Sequence, residues 1–160
     1  METAAIEKLI EYAKQTKYFD LPGYMERDWL VPYNGQFGMR IHHILRDDHD
    51  RAFHDHPWTN TSVVLLGGYW ELMPENPDQP PEHDTFLFSK VWRKPGDVVQ
   101  RKATDRHRLV LPEGETAYSM FIMGPWEQDW GFYTPTGKVY WREYLNDYTT
   151  ETTTDKITME

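Results

Sequence analysis

Three histidines have the spacing that a protein metal site requires. His54 and His56 are separated by one residue, and His107 lies far along the chain. Residues i and i+2 of a β-strand point to the same face, so His54 and His56 can converge on one ion. His107, on a distant strand, would complete a set of three imidazoles and leave other coordination positions open. The alternative is a buried polar network that holds no ion.

The residues around these histidines predict an all-β domain with one helix. Thr3 is expected to cap a short N-terminal helix over residues 4–16, whose apolar stripe packs outside a sheet. Short runs of β-branched and aromatic residues follow, separated by Gly, Pro and Asp, which is typical of a sandwich or barrel. The expected strands are 36–46, 52–58, 61–72, 86–93, 97–102, 106–111, 117–123, 129–133 and 138–143.

The chain divides into three regions by composition. Residues 1–35 are expected to form the helix and a wrapping segment, in which 19–34 carries Pro22, Gly23 and Pro32 and no regular element. Residues 36–144 are expected to form the barrel. The polar tail 145–160 is predicted to be flexible. Within the barrel, residues 73–84 contain four prolines and predict a long surface loop that includes His83.

Two segments resemble the two conserved motifs of the cupin superfamily. His54 and His56 fall on the paired histidines of the first motif, G-x5-H-x-H-x3,4-E-x6-G, and its closing glycine falls at Gly67 or Gly68. In the second motif, G-x5-P-x-G-x2-H-x3-N, the spacing from Gly96 to His107 is the family's. The resemblance implies a double-stranded β-helix, or jelly-roll barrel, of the RmlC-like kind. The HDHPW segment, with the pieces around it, is similar to uncharacterised cupin-like proteins of bacteria and phages.

The sequence departs from both motifs. Asp48 replaces the opening glycine of the first motif, and the family's glutamate position falls on Asn60 or Thr61. The Pro, Gly and Asn positions of the second motif hold other residues: Lys102, Thr104 and Leu111.

The missing glutamate changes the chemistry expected of the site. Three neutral imidazoles leave the double charge of an ion uncompensated, which favours an anionic substrate in the open positions. The resemblance implies Fe²⁺, Ni²⁺ or Zn²⁺, because cupins with three histidines include dioxygenases and the affinity order alone does not select iron. Asn60 could add an amide oxygen as a weak fourth ligand.

Several polar and aromatic residues could line a substrate pocket. Arg40 and Arg101 could hold a substrate carboxylate, since the guanidinium group matches it in a bidentate way. Trp58 and Tyr69 could contact the ligand, although aromatic residues on barrel strands are more often core. One histidine of the pair His42 and His43 must face the lumen if their strand is regular. The remaining histidine outside the proline-rich loop, His49, is expected in a surface turn.

Composition excludes some classes of partner. The net charge of −9 disfavours nucleic acid. No run is apolar enough for a membrane helix and no signal-peptide pattern is present, so a soluble cytoplasmic protein is expected. The seven tryptophans and ten tyrosines suggest that some cover the interface of a homodimer.

Three functions follow as hypotheses, with no catalytic residue assigned. The first is an Fe(II)-type dioxygenase or related oxidoreductase acting on a small anionic molecule. The second is a metal-free sugar epimerase or isomerase, with His54 as general base and Tyr133 as acid, for which the sequence shows no carboxylate placed to orient the base. The third is a non-catalytic module for ligand binding or assembly.

Overall fold

The computed structural model describes residues 2–21, 23–47, 52–76 and 87–148. Residues 146–148 are described by their backbone only. His49, His83, most of the proline-rich loop and the tail from residue 149 lie outside these ranges, so the expectations for them stay predictions. The described elements are α1 (Thr3–Ala13), β1 (Met25–Val31), β2 (Gly38–Ile44), β3 (Phe53–His54), β4 (Trp58–Leu66), β5 (Tyr69–Pro74), β6 (Phe88–Arg93), β7 (Val98–Arg101), β8 (Arg108–Val110), β9 (Ala117–Trp126), β10 (Gly131–Thr134), β11 (Gly137–Tyr140) and α2 (Trp141–Tyr148).

Antiparallel strands form a barrel of one large and two small sheets. The large sheet has the order β1-β2-β9-β4-β7, and the small ones have the orders β11-β10-β3 and β6-β5-β8. An isolated bridge between His54 and His107 joins the two small sheets. The main core lies inside this barrel: Tyr24, Met25, Ile44, Val64, Tyr69, Leu109, Leu111 and Ala117. The all-β prediction is confirmed.

The N-terminal helix packs as its sequence indicates. Ile6, Ile10 and Ala13 are buried against Ile41 and Leu65 on the outside of the large sheet. The predicted cap is wrong, because Thr3 is already helical and the cap position is Glu2, which makes no side-chain capping bond. No helix among the described residues is long and apolar enough to span a membrane.

The segment 19–34 contains a strand that the sequence analysis did not predict. Met25–Val31 pairs with β2 along its length, with Arg27 opposite His42. Arg27 and Asp28 are both buried, which breaks the apolar alternation that marks a half-buried strand. Because of these two charged residues, the sequence pattern does not predict β1.

Two glycines divide the predicted strand 61–72 into two. Gly67 has a φ of +72°, and a Cβ at this position would lie 2.4 Å from the Thr116 carbonyl oxygen. The chain turns here and passes from β4 in the large sheet to β5 in a small sheet. A single strand across this turn is therefore wrong.

Two other predicted strands contain the start of another element. The strand 52–58 is reduced to Phe53–His54, with a new strand starting at Trp58. The strand 138–143 stops at Tyr140, where helix α2 begins. In this helix Trp141 stacks on Trp130 at a ring distance of 5.7 Å. Burial of the aromatic face therefore favours a helix over the predicted strand at these residues.

Candidate metal centre

The three histidines converge. Their possible ligand atoms all lie within 4.8 Å of one another, with His54 and His56 half-buried and His107 buried. The ring centroids are 5.2 Å apart for His54 and His56, 4.8 Å for His54 and His107, and 4.9 Å for His56 and His107. Bonds of about 2.0–2.1 Å to a shared ion require the ligand nitrogens to lie closer together than this, so the rings would move toward one another on binding.

Backbone hydrogen bonds fix this arrangement. The amide of His54 donates to the carbonyl of His107, and the amide of His107 donates to that of His54, both at 3.0 Å. The amide of His56 donates to the carbonyl of Ala103, also at 3.0 Å. The barrel therefore sets the separation of the imidazoles.

Asp55, between the two histidines, anchors the segment from the other side. It is fully buried and accepts hydrogen bonds from the Gly131 amide at 2.9 Å, the Tyr133 hydroxyl at 2.8 Å and the Lys138 ammonium at 2.7 Å. Burial and the Asp55 charge raise the pKa of Tyr133. Asp55 thus positions its neighbours while pointing away from them, a role that the sequence analysis missed.

A buried glutamate holds His107. Glu71, fully buried on β5, lies 2.5 Å from His107 Nδ1, and its oxygens also accept from Arg101 Nε at 2.6 Å and from Arg93 Nη2 at 2.7 Å. Burial alone would raise the pKa of Glu71, but the hydrogen bonds and charges of His107 and Arg101 outweigh it and hold this pKa far below its usual range. Glu71 was not assigned any role from the sequence, and it orients His107 rather than His54, the histidine for which a carboxylate partner was sought.

The protonation of the rings suits a metal. Burial lowers the pKa of His107 and that of His56, so both imidazoles are neutral near pH 7. Since an ionised carboxylate only accepts, the proton of His107 lies on Nδ1 and the lone pair of Nε2 is free for an ion. His56 Nδ1 is buried and has no hydrogen-bond partner in the described part of the chain, so a bound cation could satisfy this atom. The donor set therefore fits a divalent ion.

Asn60 and Arg101 are both engaged with protein groups. Arg101 Nη1 donates to Asn60 Oδ1 at 3.3 Å and to Ser62 Oγ at 2.9 Å, while its Nε binds Glu71. Asn60 donates its amide to the Trp58 carbonyl at 3.3 Å. A fourth metal bond from Asn60 and a substrate contact from Arg101 stay predictions. Both side chains already support the group of Glu71, Arg93, Arg101 and His107, which we call the Glu71 corner.

The histidines open onto a cavity of about 120 Å³ between the sheets. Arg40, Trp58, Tyr69 and Arg101, the four residues expected to meet a substrate, all line it. Tyr69 is only 1% exposed, so it serves the core as much as the cavity.

The question of which neighbouring histidine faces inward is settled. His42 is buried and lines the cavity. His43 points to the other face of the sheet, where it contacts Glu26 at 2.9 Å and stacks on Tyr118 at 4.0 Å.

Comparison with known proteins identifies the fold. The sequence matches no protein-family model and no curated protein. Among solved structures, an uncharacterised protein with a double-stranded β-helix domain from Klebsiella pneumoniae is similar, with a TM-score of 0.51, 14% identity, and coverage of 76% of this chain and 93% of that one. The architecture is a double-stranded β-helix, the fold that the two motifs predicted.

Two enzymes share this fold at low identity. A DMSP lyase from Ruegeria pomeroyi has a TM-score of 0.53 and 14% identity over 78% of this chain. The hydroxypropylphosphonic acid epoxidase of S. wedmorenis has a TM-score of 0.53 and 13% identity over 69% of this chain. This chain spans 60% of the length of the lyase and 56% of that of the epoxidase.

Proposed function

We propose that this protein is a divalent-metal-dependent cupin enzyme, an Fe(II)-type oxygenase or related oxidoreductase, that acts on a small anionic molecule. The observation that carries the proposal is the convergence of His54, His56 and His107 within 4.8 Å on the wall of a cavity. A redox-active ion held there would supply the electron transfer that oxidation of a substrate by O₂ requires.

The residues of the chain prepare the site in two ways. Glu71 holds the proton of His107 on Nδ1 and thereby directs the other nitrogen toward the cavity. The rings of Trp130 and Phe132 lie 5.9 and 5.8 Å from that of His54 and cover it with apolar surface. Neutral ligands in an apolar wall leave the charge of the ion available to an anion.

The size of the cavity supports a small substrate. Pockets for drug-sized ligands measure roughly 300–1,000 Å³, whereas this cavity measures about 120 Å³. A small organic acid fits such a volume better than a nucleotide sugar does. The volume therefore favours the oxygenase proposal over the sugar epimerase.

One observation keeps a metal-free isomerase as the second candidate. The pair of Glu71 and His107 has the geometry of a general base oriented by a carboxylate, although the base expected from the sequence was His54. The expected acid of that reaction, Tyr133, donates its hydroxyl to Asp55, and its raised pKa makes proton release harder. An isomerase at this site would therefore use His107 in place of His54 and would need an acid other than Tyr133.

Metal analysis separates these functions. Protein purified without an affinity tag is expected to contain Fe, Ni or Zn near one equivalent, and EDTA-treated protein should take up one equivalent of Fe²⁺ anaerobically. The variant His54→Ala/His56→Ala should take up none, while His43→Ala, which removes an imidazole outside the cavity, should behave as wild type. Wild-type protein that takes up no metal would reject the proposal and favour the isomerase or the non-catalytic module.

A further inference from the structure

A second group of cationic and polar side chains lines the same cavity. Arg27 on β1 is directly opposite His42 on β2, and Arg40 lies two residues before His42 on the same face. All three residues line the cavity, and their side chains are inside the protein: Arg27 is 5% exposed, Arg40 2% and His42 8%. We call these three residues the arginine wall.

Neither arginine of this wall forms a close ion pair in the part of the chain that the structure describes, although the charge of Asp20 acts on Arg27. The ion pairs found there, at distances up to 4.0 Å, involve neither Arg27 nor Arg40. Aromatic faces surround the guanidinium of Arg40 instead, with the ring centres of Tyr18 at 4.7 Å, Trp29 at 5.1 Å and Trp58 at 5.5 Å. Such faces attract a cation but accept no strong in-plane hydrogen bond.

Donor groups of the wall are also unused. Arg40 Nη2 donates to the thioether of Met123, a weak acceptor, and Arg40 Nε has no hydrogen-bond partner among the described residues. Arg27 Nε donates to the Phe19 carbonyl at 2.8 Å, but Arg27 Nη2 has no partner within the same ranges. His42 Nε2 is also buried, and no described group bonds to it. Buried polar groups are nearly always satisfied, so three adjacent exceptions indicate a missing ligand.

Electrostatics supports this reading. Burial lowers the pKa of Arg40 to about 9 and that of Arg27 to about 10. Burial and the charges of these two arginines also lower the pKa of His42, which is therefore neutral and can donate one hydrogen bond. An anion placed among these groups would offset the unfavourable burial of both charges.

We propose that the arginine wall binds the oxyanion group of the substrate, a carboxylate or a phosphonate or phosphate group. Guanidinium groups bind the paired oxygens of such groups in a bidentate way, and neutral His42 adds a further donor. The inference rests on the proposed function in one respect only, namely that the remainder of the substrate reaches the histidine centre.

The distance between the two sites sets the size of the substrate. The Phe121 ring contacts a histidine of each site, 4.8 Å from the His42 ring and 5.9 Å from the His56 ring, so the two sites are close to each other. A molecule with an oxyanion at one end and a metal-binding oxygen, nitrogen or sulfur a few bonds away can occupy both sites in a cavity of about 120 Å³. The substrate class is therefore a short functionalised acid.

Binding of simple anions tests the wall without any assay of activity. Propanoate, methylphosphonate and neutral propanamide are titrated at constant ionic strength into chelator-treated and metal-loaded protein, with the melting temperature and calorimetric heat as readouts. At least one of the anions should bind and raise the melting temperature, and propanamide should do neither. The stronger anion identifies the head group as a carboxylate or a phosphonate.

Matched variants show where the anion binds. Arg40→Met and Arg27→Met should each weaken anion binding by about tenfold or more, the loss expected for a charge-assisted hydrogen bond. Arg142→Met, which removes an arginine stacked on Trp141 outside the cavity, should not weaken it. Arg40→Lys keeps the charge but loses the planar fork, so it should retain part of the affinity.

The inference and the proposed function can fail separately. Anion binding that is equal in wild type, Arg40→Met and Arg27→Met would overturn the arginine wall even in protein that binds metal. Failure of both anions to bind in both preparations would do the same. Arginine-dependent anion binding in protein that takes up no metal would support the wall while rejecting the metal centre.

Discussion

Two buried regions of this barrel contain arginines, and they differ in whether a carboxylate of the protein pairs with them. In the Glu71 corner, Arg93, Arg101 and His107 surround one fully buried carboxylate at 2.5–2.7 Å. In the arginine wall, Arg27 and Arg40 face aromatic rings, and the only side-chain hydrogen bond that Arg40 makes to the described residues goes to a sulfur atom.

The groups of the corner stabilise the fold, whereas the groups of the wall are suited to binding a ligand. The corner satisfies its charges within the protein, so it positions His107 whether or not anything is bound. The wall has donors that no described residue satisfies, which costs stability unless a ligand supplies the acceptors. A folded chain tolerates such a region when binding offsets the loss.

The largest expected effect is from breaking the corner. Glu71→Gln leaves Arg93 and Arg101 without a buried counter-charge, which should lower the free energy of unfolding by about 3–5 kcal/mol. Urea denaturation of wild type and variant measures this difference. A loss below about 1 kcal/mol would show that the corner is solvated and that the contrast between the two regions is smaller than the structure indicates.

A second experiment applies the same substitution to both regions. Arg101→Met breaks the pair with Glu71 and should lower the free energy of unfolding by about 3–5 kcal/mol. Arg40→Met removes an unpaired buried charge while losing cation–π contacts worth up to about 2 kcal/mol. These two effects oppose each other, so Arg40→Met should stay within about 1 kcal/mol of wild type. Equal losses in the two variants would contradict the distinction.

Removal of the metal ligands should have a smaller effect that depends on metal. His54→Ala/His56→Ala should melt close to chelator-treated wild type, because water can replace imidazoles that face a cavity. Loaded wild type should be more stable by about 2.7 kcal/mol at a hundredfold excess of free metal over Kd. Melting curves with and without EDTA test this, with His43→Ala as the control. A wild-type curve insensitive to both EDTA and added metal would contradict the prediction.

The smallest expected effect comes from an exposed ion pair. Lys94 lies 2.9 Å from Asp97 on the surface, where solvent screens the interaction. Lys94→Ala should therefore leave the urea midpoint unchanged within error. A clear loss would show that surface charges also stabilise this barrel and that burial is not the property that distinguishes the corner.

The fold and the convergence of the histidines could be predicted because they rest on local patterns. The i, i+2 parity brings His54 and His56 to one face, and the spacing from Gly96 to His107 follows the second motif. Helix α1 was predictable because its buried residues repeat at helical spacing.

The Glu71 corner and the arginine wall depend on long-range packing and could not be predicted. Glu71 joins Arg101 across 30 residues and His107 across 36, and nothing local distinguishes it from a surface glutamate. Arg27 lies on a strand that its own charge made hard to recognise. The sequence predicts the same role, substrate binding, for Arg40 and Arg101. The structure distinguishes them, because Arg101 donates to Glu71, Asn60 and Ser62, whereas the described acceptor of Arg40 is the weak thioether of Met123.

The reciprocal backbone bonds between His54 and His107 have a consequence for dynamics. Each residue protects the amide proton of the other, so neither proton can exchange with solvent until β3 separates from the chain before β8. Exchange of the two protons with deuterium should therefore give the same free energy of opening, and this free energy should report the separation of the two small sheets. Because the bonds are made by the main chain, replacing either imidazole with alanine should leave this exchange slow.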